Sequence, residues 1–140
     1  MGTPYEKLYE RALSKIEDPT LAMLPEEDLA NILHGYLMSA VAKHRKCKND
    51  LSDRDDELMC FNSDLTDLEI EILSILMVRE WIGQQLHSVT LTLQVFSGKE
   101  SKYYSQAAHI AELRELDDKL RLEAQQLSRD YTYTENDYFD

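Results

Sequence analysis

The side chains of this sequence that could do chemistry are scattered, and none of them forms a recognised catalytic or metal-binding pattern. Cys47 and Cys60 lie far apart with no ligand pair beside either, which favours two free thiols. An acidic stretch could suggest a calcium loop, but it lacks the glycine and the terminal glutamate of an EF-hand. Its members are Asp50, Asp53, Asp55, Asp56 and Glu57. The dispersed histidines are His34, His44, His87 and His109. We therefore expect no enzyme activity, no metal and no cofactor.

Two further groups have both a chemical and a simpler interpretation. Glu80 stands beside Trp81 in an apolar segment, where a buried carboxyl group could act as an acid. A partner such as Arg79 or another basic residue, or exposure of that face, is the simpler interpretation. The basic run Lys43–Lys48 could contact phosphate, but such a run is also typical of a helix C-terminus, where positive charge complements the helix dipole.

The clearest structural signal lies between residues 62 and 86. Thr66 is a good N-cap and Glu69 follows three residues later, which together predict a capping box at the start of a helix. Leu65 and Ile70 have the spacing of a hydrophobic staple around that cap. Most residues of 68–82 are apolar, so we expect this helix to be surrounded by others, with its only tryptophan largely buried.

The rest of the chain predicts further helices, because apolar residues recur at intervals of three and four and glycine and proline are few. The predicted helices are Pro4–Glu17, Pro25 to the basic run ending at Lys48, Thr66 to about Ser88, and about Lys102–Arg129. Asn49–Asp64 is polar and is interpreted as a connector with room for one helical turn. Thr90–Phe96 alternates like a strand but has no partner strand, so a packed connector, an irregular segment or a helical extension all remain open. The predicted fold is all-α, a small bundle of about four helices with a long central helix and an extended C-terminal tail. The helical domain spans residues 1–129 and the tail spans 130–140.

The charge of the chain limits its partners. The 140 residues carry a net charge of −12 with a pI near 4.7, the opposite sign from a typical nucleic-acid-binding protein. The sequence shows no secretory signal behind Met1 and no apolar stretch of the length needed to span a membrane. An acidic surface suits a soluble chain, or one that must repel nucleic acid.

The tail differs from the helical domain in composition. Residues 130–140 contain four acids and no base, yet they are rich in aromatic residues, which a purely solvating tail normally lacks. Aromatic residues anchor interfaces, so we expect the tail to dock on another chain. Folding back on its own domain and disorder are the alternatives. The aromatic residues are Tyr131, Tyr133, Tyr138 and Phe139.

Three segments together resemble a family of small neck proteins of tailed bacteriophages, the head–tail connector or adaptor proteins. They are LHGYLMSAVAKHRKCKNDLSDRDDELMCFNSDLTDLEIEILSILMVREWI, KYYSQAAHIAELREL and the tail segment SRDYTYT. The resemblance covers approximately Leu29 to Thr134. Its strongest parts are the connector Asp55–Leu58, the helix start Asp64–Trp81 and the segment Tyr103–Leu116.

This resemblance implies a structural virion protein, assembled in the bacterial host cytoplasm and located in the neck of the particle. The subunits would form a ring, usually twelvefold, beneath the portal protein, and the ring would extend the DNA channel towards the next neck or tail-completion protein. DNA would pass through without specific binding. The C-terminal tail, with the four aromatic residues named above, would bind the portal.

A second hypothesis is a free acidic helical protein that binds and inhibits a host or phage factor, for example as a nucleic-acid mimic. A mimic should place carboxylates along one exposed stripe. The fourth predicted helix instead alternates in sign, with opposite charges four residues apart in Arg114/Asp118, Glu115/Lys119 and Asp117/Arg121. This alternation disfavours the mimic.

Overall fold

A computed structural model describes the backbone of residues 2–16, 21, 23–44, 47–95 and 100–135. It also describes their side chains, apart from those of 90–95, 100–106 and 133–135. This described part folds into a small all-α bundle, which confirms the predicted fold class. Its helices are α1 (Tyr5–Leu13), α2 (Glu26–Lys43), α3 (Asp67–Val95) and α4 (Glu100–Glu135). No helix within the described ranges combines the length and the apolar character required to cross a membrane.

Helix α3 is the centre of the bundle, as its composition predicts. It packs against α4, α2 and α1, and residues 72–78 form an unbroken buried run. Trp81 is only 7% exposed, which confirms the prediction for this side chain. A helix that is apolar on most sides is stable only when neighbouring helices cover each of those sides.

The connector before α3 differs from its prediction. It contains a small hairpin of β2 (Arg54–Asp55) and β3 (Cys60–Phe61), and β3 also pairs with β1 (Thr3–Pro4). Both pairings are antiparallel. Strands of two residues are too short to show an alternating pattern, so the sequence carries no strand signal here.

The alternating segment at residues 90–95 is helical and continues α3 to Val95. Of the open alternatives, the helical extension is therefore observed for these residues, while Phe96 lies outside the described part. A helix that has already formed propagates at one hydrogen bond per added residue, whereas a strand needs a partner.

The predicted boundary between the helical domain and an extended tail at residue 130 is wrong. Helix α4 continues through Asp130 to Glu135, so the first six residues of the predicted tail are helical. The reason is the apolar stripe of α4, whose members Leu120, Ala124, Leu127 and Tyr131 follow one another at intervals of three and four residues. Residues 136–140 lie outside the described part.

Candidate functional site

The N-terminus of α3 is built around Glu69, a charged residue that is only 1% exposed. The predicted capping box is present. The backbone N–H of Thr66 donates to Glu69 Oε1 over 2.8 Å, and the N–H of Glu69 donates to Thr66 Oγ1 over 3.2 Å. This reciprocal pair satisfies two backbone donors at the start of the helix.

Three side chains from other parts of the chain also donate to this carboxylate. Asn49 Nδ2 lies 2.7 Å from Oε1, while Cys47 Sγ and the Tyr131 hydroxyl lie 3.0 Å and 2.9 Å from Oε2. Burial raises the pKa of Glu69, but its four hydrogen bonds outweigh that effect and hold the pKa below its ordinary value. The group therefore stays ionised at neutral pH.

Tyr131 connects the end of α4 to this cluster. Its side chain is 1% exposed, and its hydroxyl accepts from the backbone N–H of Lys48 over 2.7 Å while donating to Glu69. Its ring meets the ring of His44 edge to face, with centroids 5.7 Å apart. Tyr131 thus joins α4 to the connector and to α3, and we call Cys47, Asn49, Glu69 and Tyr131 the Glu69 cluster.

The Glu69 cluster is suited to holding helices together rather than to catalysis. Burial raises the pKa of the Cys47 thiol to about 12, and the neighbouring carboxylate acts in the same direction. A thiol that stays protonated is a hydrogen-bond donor and a poor nucleophile. Burial, opposed by the Lys48 N–H, also raises the pKa of Tyr131 well above its usual range. Both groups therefore remain donors to Glu69 at neutral pH.

Ion pairs around α3 give Glu80 a basic partner and differ from one pairing that the sequence predicted. Lys43 forms an ion pair with Glu80, as the interpretation with a basic partner predicts. Asp117 binds Arg79 of α3 over 2.9 Å instead of forming the predicted pair within α4. Arg121 lies 3.8 Å from Asp118. The helix pattern cannot reveal this exchange because the competing cation comes from a distant part of the chain.

A groove of about 590 Å³ opens between the C-terminus of α2, the middle of α3 and the second half of α4. Its floor includes Ile72 and Leu76. Among the described residues, four cationic side chains line it, in a protein whose net charge is −12. They are Lys43, Arg79, Arg121 and Arg129.

His44 lies in the wall of this groove and is only 6% exposed. Its Nε2 atom is buried and has no hydrogen-bond partner among the described residues. Burial lowers the pKa of His44, while the nearby Glu69 opposes that shift. A buried imidazole nitrogen without a partner is unusual, because burying a polar atom unpaired costs free energy.

Of the four aromatic residues predicted to bind the portal, the structure describes the side chain of Tyr131 alone. Tyr131 is a core residue, so it follows the alternative in which the tail folds back on its own domain. Tyr133 belongs to α4, but its side chain lies outside the described part, as do Tyr138 and Phe139 entirely. The three- and four-residue spacing from Leu120 to Tyr131 is the signal that could have placed Tyr131 in the core.

The sequence reasoning found the capping role of Glu69 but missed its partners Cys47, Asn49 and Tyr131. No spacing rule connects those residues, since they lie up to 62 positions from Glu69. Within the described ranges, no three His, Cys, Asp or Glu side chains are grouped so as to hold a metal ion. Comparisons of the chain with protein-family models, with curated proteins and with solved structures find no match.

Proposed function

We propose that this chain is a ring-forming adaptor in the neck of a tailed bacteriophage. It would sit beneath the portal protein, extend the DNA channel and join the capsid to the next neck or tail-completion protein. The sequence resemblance over Leu29–Thr134 supports this proposal. The structural observation that supports it most is the contact of Tyr131 with Lys48 and Glu69. This contact attaches the end of α4 to the other helices just before an acidic, aromatic C-terminal sequence.

This contact makes α4 a rigid support for the C-terminal residues beyond it. Helix α4 buries Leu113, Leu120 and Ala124 along its length, and the Tyr131 contact attaches it once more close to its C-terminal end. The sequence after Glu135 contains Tyr138 and Phe139 between two aspartates, and aromatic side chains are common anchors of interfaces. In our proposal, Tyr138 and Phe139, with Tyr133 beside them, bind the portal.

The distribution of charge suits a DNA conduit. Arg11 and Lys15 both bind Glu71, Lys43 binds Glu80 and Arg79 binds Asp117. Cations that are paired with carboxylates in this way are poor partners for DNA phosphates. A lumen dominated by carboxylates would let DNA slide, because few contacts would hold its phosphates.

The decisive test of the proposal is the composition of purified phage particles. We expect this chain in every particle at a fixed ratio to the portal protein, and we expect a chain ending after Glu135 to be missing from particles although it folds. The full chain expressed from the same promoter is the control. A full chain that is absent from particles but is recovered in complex with a free host or phage factor would instead support the inhibitor hypothesis.

We also expect no measurable affinity for duplex DNA at physiological salt. The physical reason is the excess of twelve negative charges on each subunit, which repels phosphates. Fluorescence anisotropy of a labelled duplex, repeated at several salt concentrations, measures this. Binding that weakens steeply as salt rises would indicate the release of counterions from phosphate contacts and would contradict the proposed lumen.

A further inference from the structure

The cationic groove between α2, α3 and α4 has the composition of a binding site for an acidic segment with an apolar side chain. Its apolar lining could hold a leucine-sized group, and the less strongly paired cations Arg121 and Arg129 could contact carboxylates around that group. Three of the cations already have carboxylate partners, in the Lys43 and Arg79 ion pairs and in the longer, 3.8 Å pair of Arg121 with Asp118. Arg129 donates to a neutral partner, the side chain of Gln126.

The Nε2 atom of His44 is a buried polar atom in the same part of the fold. It is buried in the wall of the groove, where no described residue pairs with it. A ligand in the groove could reach this nitrogen only after a shift of the surrounding side chains, because the atom has almost no accessible surface.

The turn of the β2–β3 hairpin has the complementary composition. Leu58 is 75% exposed, which is unusual for a large apolar side chain held in a tight turn. Asp56 and Glu57 precede it directly and are both exposed, although Asp56 also lies 3.6 Å from Arg54. We call the segment Asp55–Met59 the hairpin turn.

The hairpin turn is held in a fixed shape. Asp55 Oδ1 accepts hydrogen bonds from the backbone N–H groups of Glu57 and Leu58, over 2.9 Å and 3.0 Å. Tyr5 donates through its hydroxyl to Asp56 and through its N–H to the carbonyl of Met59. A segment that is already ordered loses little conformational entropy on binding, so even a small contact can contribute to affinity.

We propose that the hairpin turn of one subunit binds the cationic groove of a second copy, with Leu58 on the apolar floor and the adjacent carboxylates facing Arg121 and Arg129. This inference rests on the proposed function, since it names the contact between neighbouring subunits of the ring. The hairpin turn is bonded to the start of α1, whereas the groove lies between the other three helices and no hairpin residue lines it. A contact within one subunit would require the hairpin to leave Tyr5.

The two surfaces are different, so the contact is head-to-tail. Each subunit would offer its hairpin turn to one neighbour and its groove to the other. Head-to-tail contacts generate closed rings when the rotation between neighbours closes, and filaments when it does not. Repulsion between subunits of charge −12 opposes the contact, so we expect it to be weak until the portal holds the copies together.

Sedimentation velocity of the full-length chain, from micromolar to about 1 mM at physiological salt, tests the contact. We expect the wild-type protein to associate reversibly and Leu58→Asp to weaken that association at least tenfold. The matched control is Leu122→Asp, which adds the same charge at another exposed leucine outside the groove and should change the association less than about threefold. Circular dichroism would confirm that all three proteins are equally folded.

A charge exchange tests the pairing of the two surfaces. Glu57→Lys and the double variant Arg121→Glu with Arg129→Glu should each associate less than the wild type. An equimolar mixture of the two should recover association, because it contains an intact turn and an intact groove on different chains. Absence of self-association in the wild type up to about 1 mM, equal effects of Leu58→Asp and Leu122→Asp, or no recovery on mixing would each overturn the inference.

Failure of this inference is distinguishable from failure of the proposed function. A chain that is present in particles, but whose Leu58→Asp variant associates normally, would be an adaptor with a different subunit contact. A chain that associates through Leu58 but is absent from particles would keep the contact and lose the proposed neck function.

Discussion

A chain that ends after Arg129 should be much less stable than the full-length protein, whereas a chain that ends after Glu135 should be almost unchanged. The first truncation removes Tyr131, which is 1% exposed, and takes one hydrogen-bond partner from both Glu69 and the Lys48 N–H. Loss of a large buried aromatic side chain typically costs about 3–5 kcal/mol. Urea denaturation followed by circular dichroism would measure the difference in free energy of unfolding.

Tyr131→Phe separates the hydroxyl group from the ring. It keeps the packing against His44 but removes the donor to Glu69 and the acceptor for Lys48, so we expect a loss of about 1–3 kcal/mol. Equal stability of the two truncated chains would show that Tyr131 does not fix α4 to the body. That result would instead favour a separate docking element that begins at residue 130.

Replacing Glu69 should also destabilise the protein strongly. Glu69→Ala leaves four donors without an acceptor in a buried site, and each unsatisfied buried group costs about 1–3 kcal/mol, so we expect a total loss of about 3 kcal/mol or more. The matched control is Glu71→Ala, two residues later on α3. It removes two partly exposed ion pairs, whose loss should cost about 1 kcal/mol or less each. Similar losses for the two variants would show that the Glu69 cluster has no special role.

The pH dependence of stability follows from the lowered pKa of Glu69. In the unfolded chain this group protonates near its ordinary pKa of about 4.3, while in the folded protein it holds its charge to lower pH. Its contribution is therefore complete above that ordinary pKa and is lost as pH falls through the folded pKa. We expect the stability difference between the wild type and Glu69→Gln to shrink on acidification below about pH 4.3.

Other titratable groups also change stability in neighbouring pH ranges, so stability must be compared between variants. Hydrogen bonds from Ser52 lower the pKa of Asp50. Burial opposes ionisation of Glu71, but Lys15 and Arg11 outweigh it and lower the pKa, so Glu71 contributes to acid sensitivity in the same range. The pKa of His44 is lowered in the folded protein. As pH falls, the unfolded chain therefore protonates at His44 before the folded protein does, starting near pH 6.5. A difference in free energy of unfolding between the wild type and Glu69→Gln that stays constant from about pH 7 to about pH 3 would contradict this prediction. It would show that ionised Glu69 is not what stabilises the Glu69 cluster.

Local sequence determined the elements that depend on neighbouring residues. The capping box at Thr66 and Glu69 fixed the start of α3, and the apolar run after it required a buried central helix. These predictions succeed because a helix cap and a helix stripe involve residues three or four positions apart. For the same reason, the apolar stripe from Leu120 to Tyr131 indicates that α4 continues beyond Arg129, as observed. The aromatic composition of the tail had favoured an extended segment instead.

Only the tertiary structure decided which distant residues meet. Cys47, Asn49 and Tyr131 converge on Glu69 because α2, the connector and α4 pack around the start of α3, and no local pattern encodes that packing. The same holds for Asp117, which binds Arg79 rather than its helical neighbour, and for the grouping of four cations in one groove of an acidic protein. Side-chain hydrogen bonds and ion pairs act over a few ångströms in space, whereas sequence patterns report only distances along the chain.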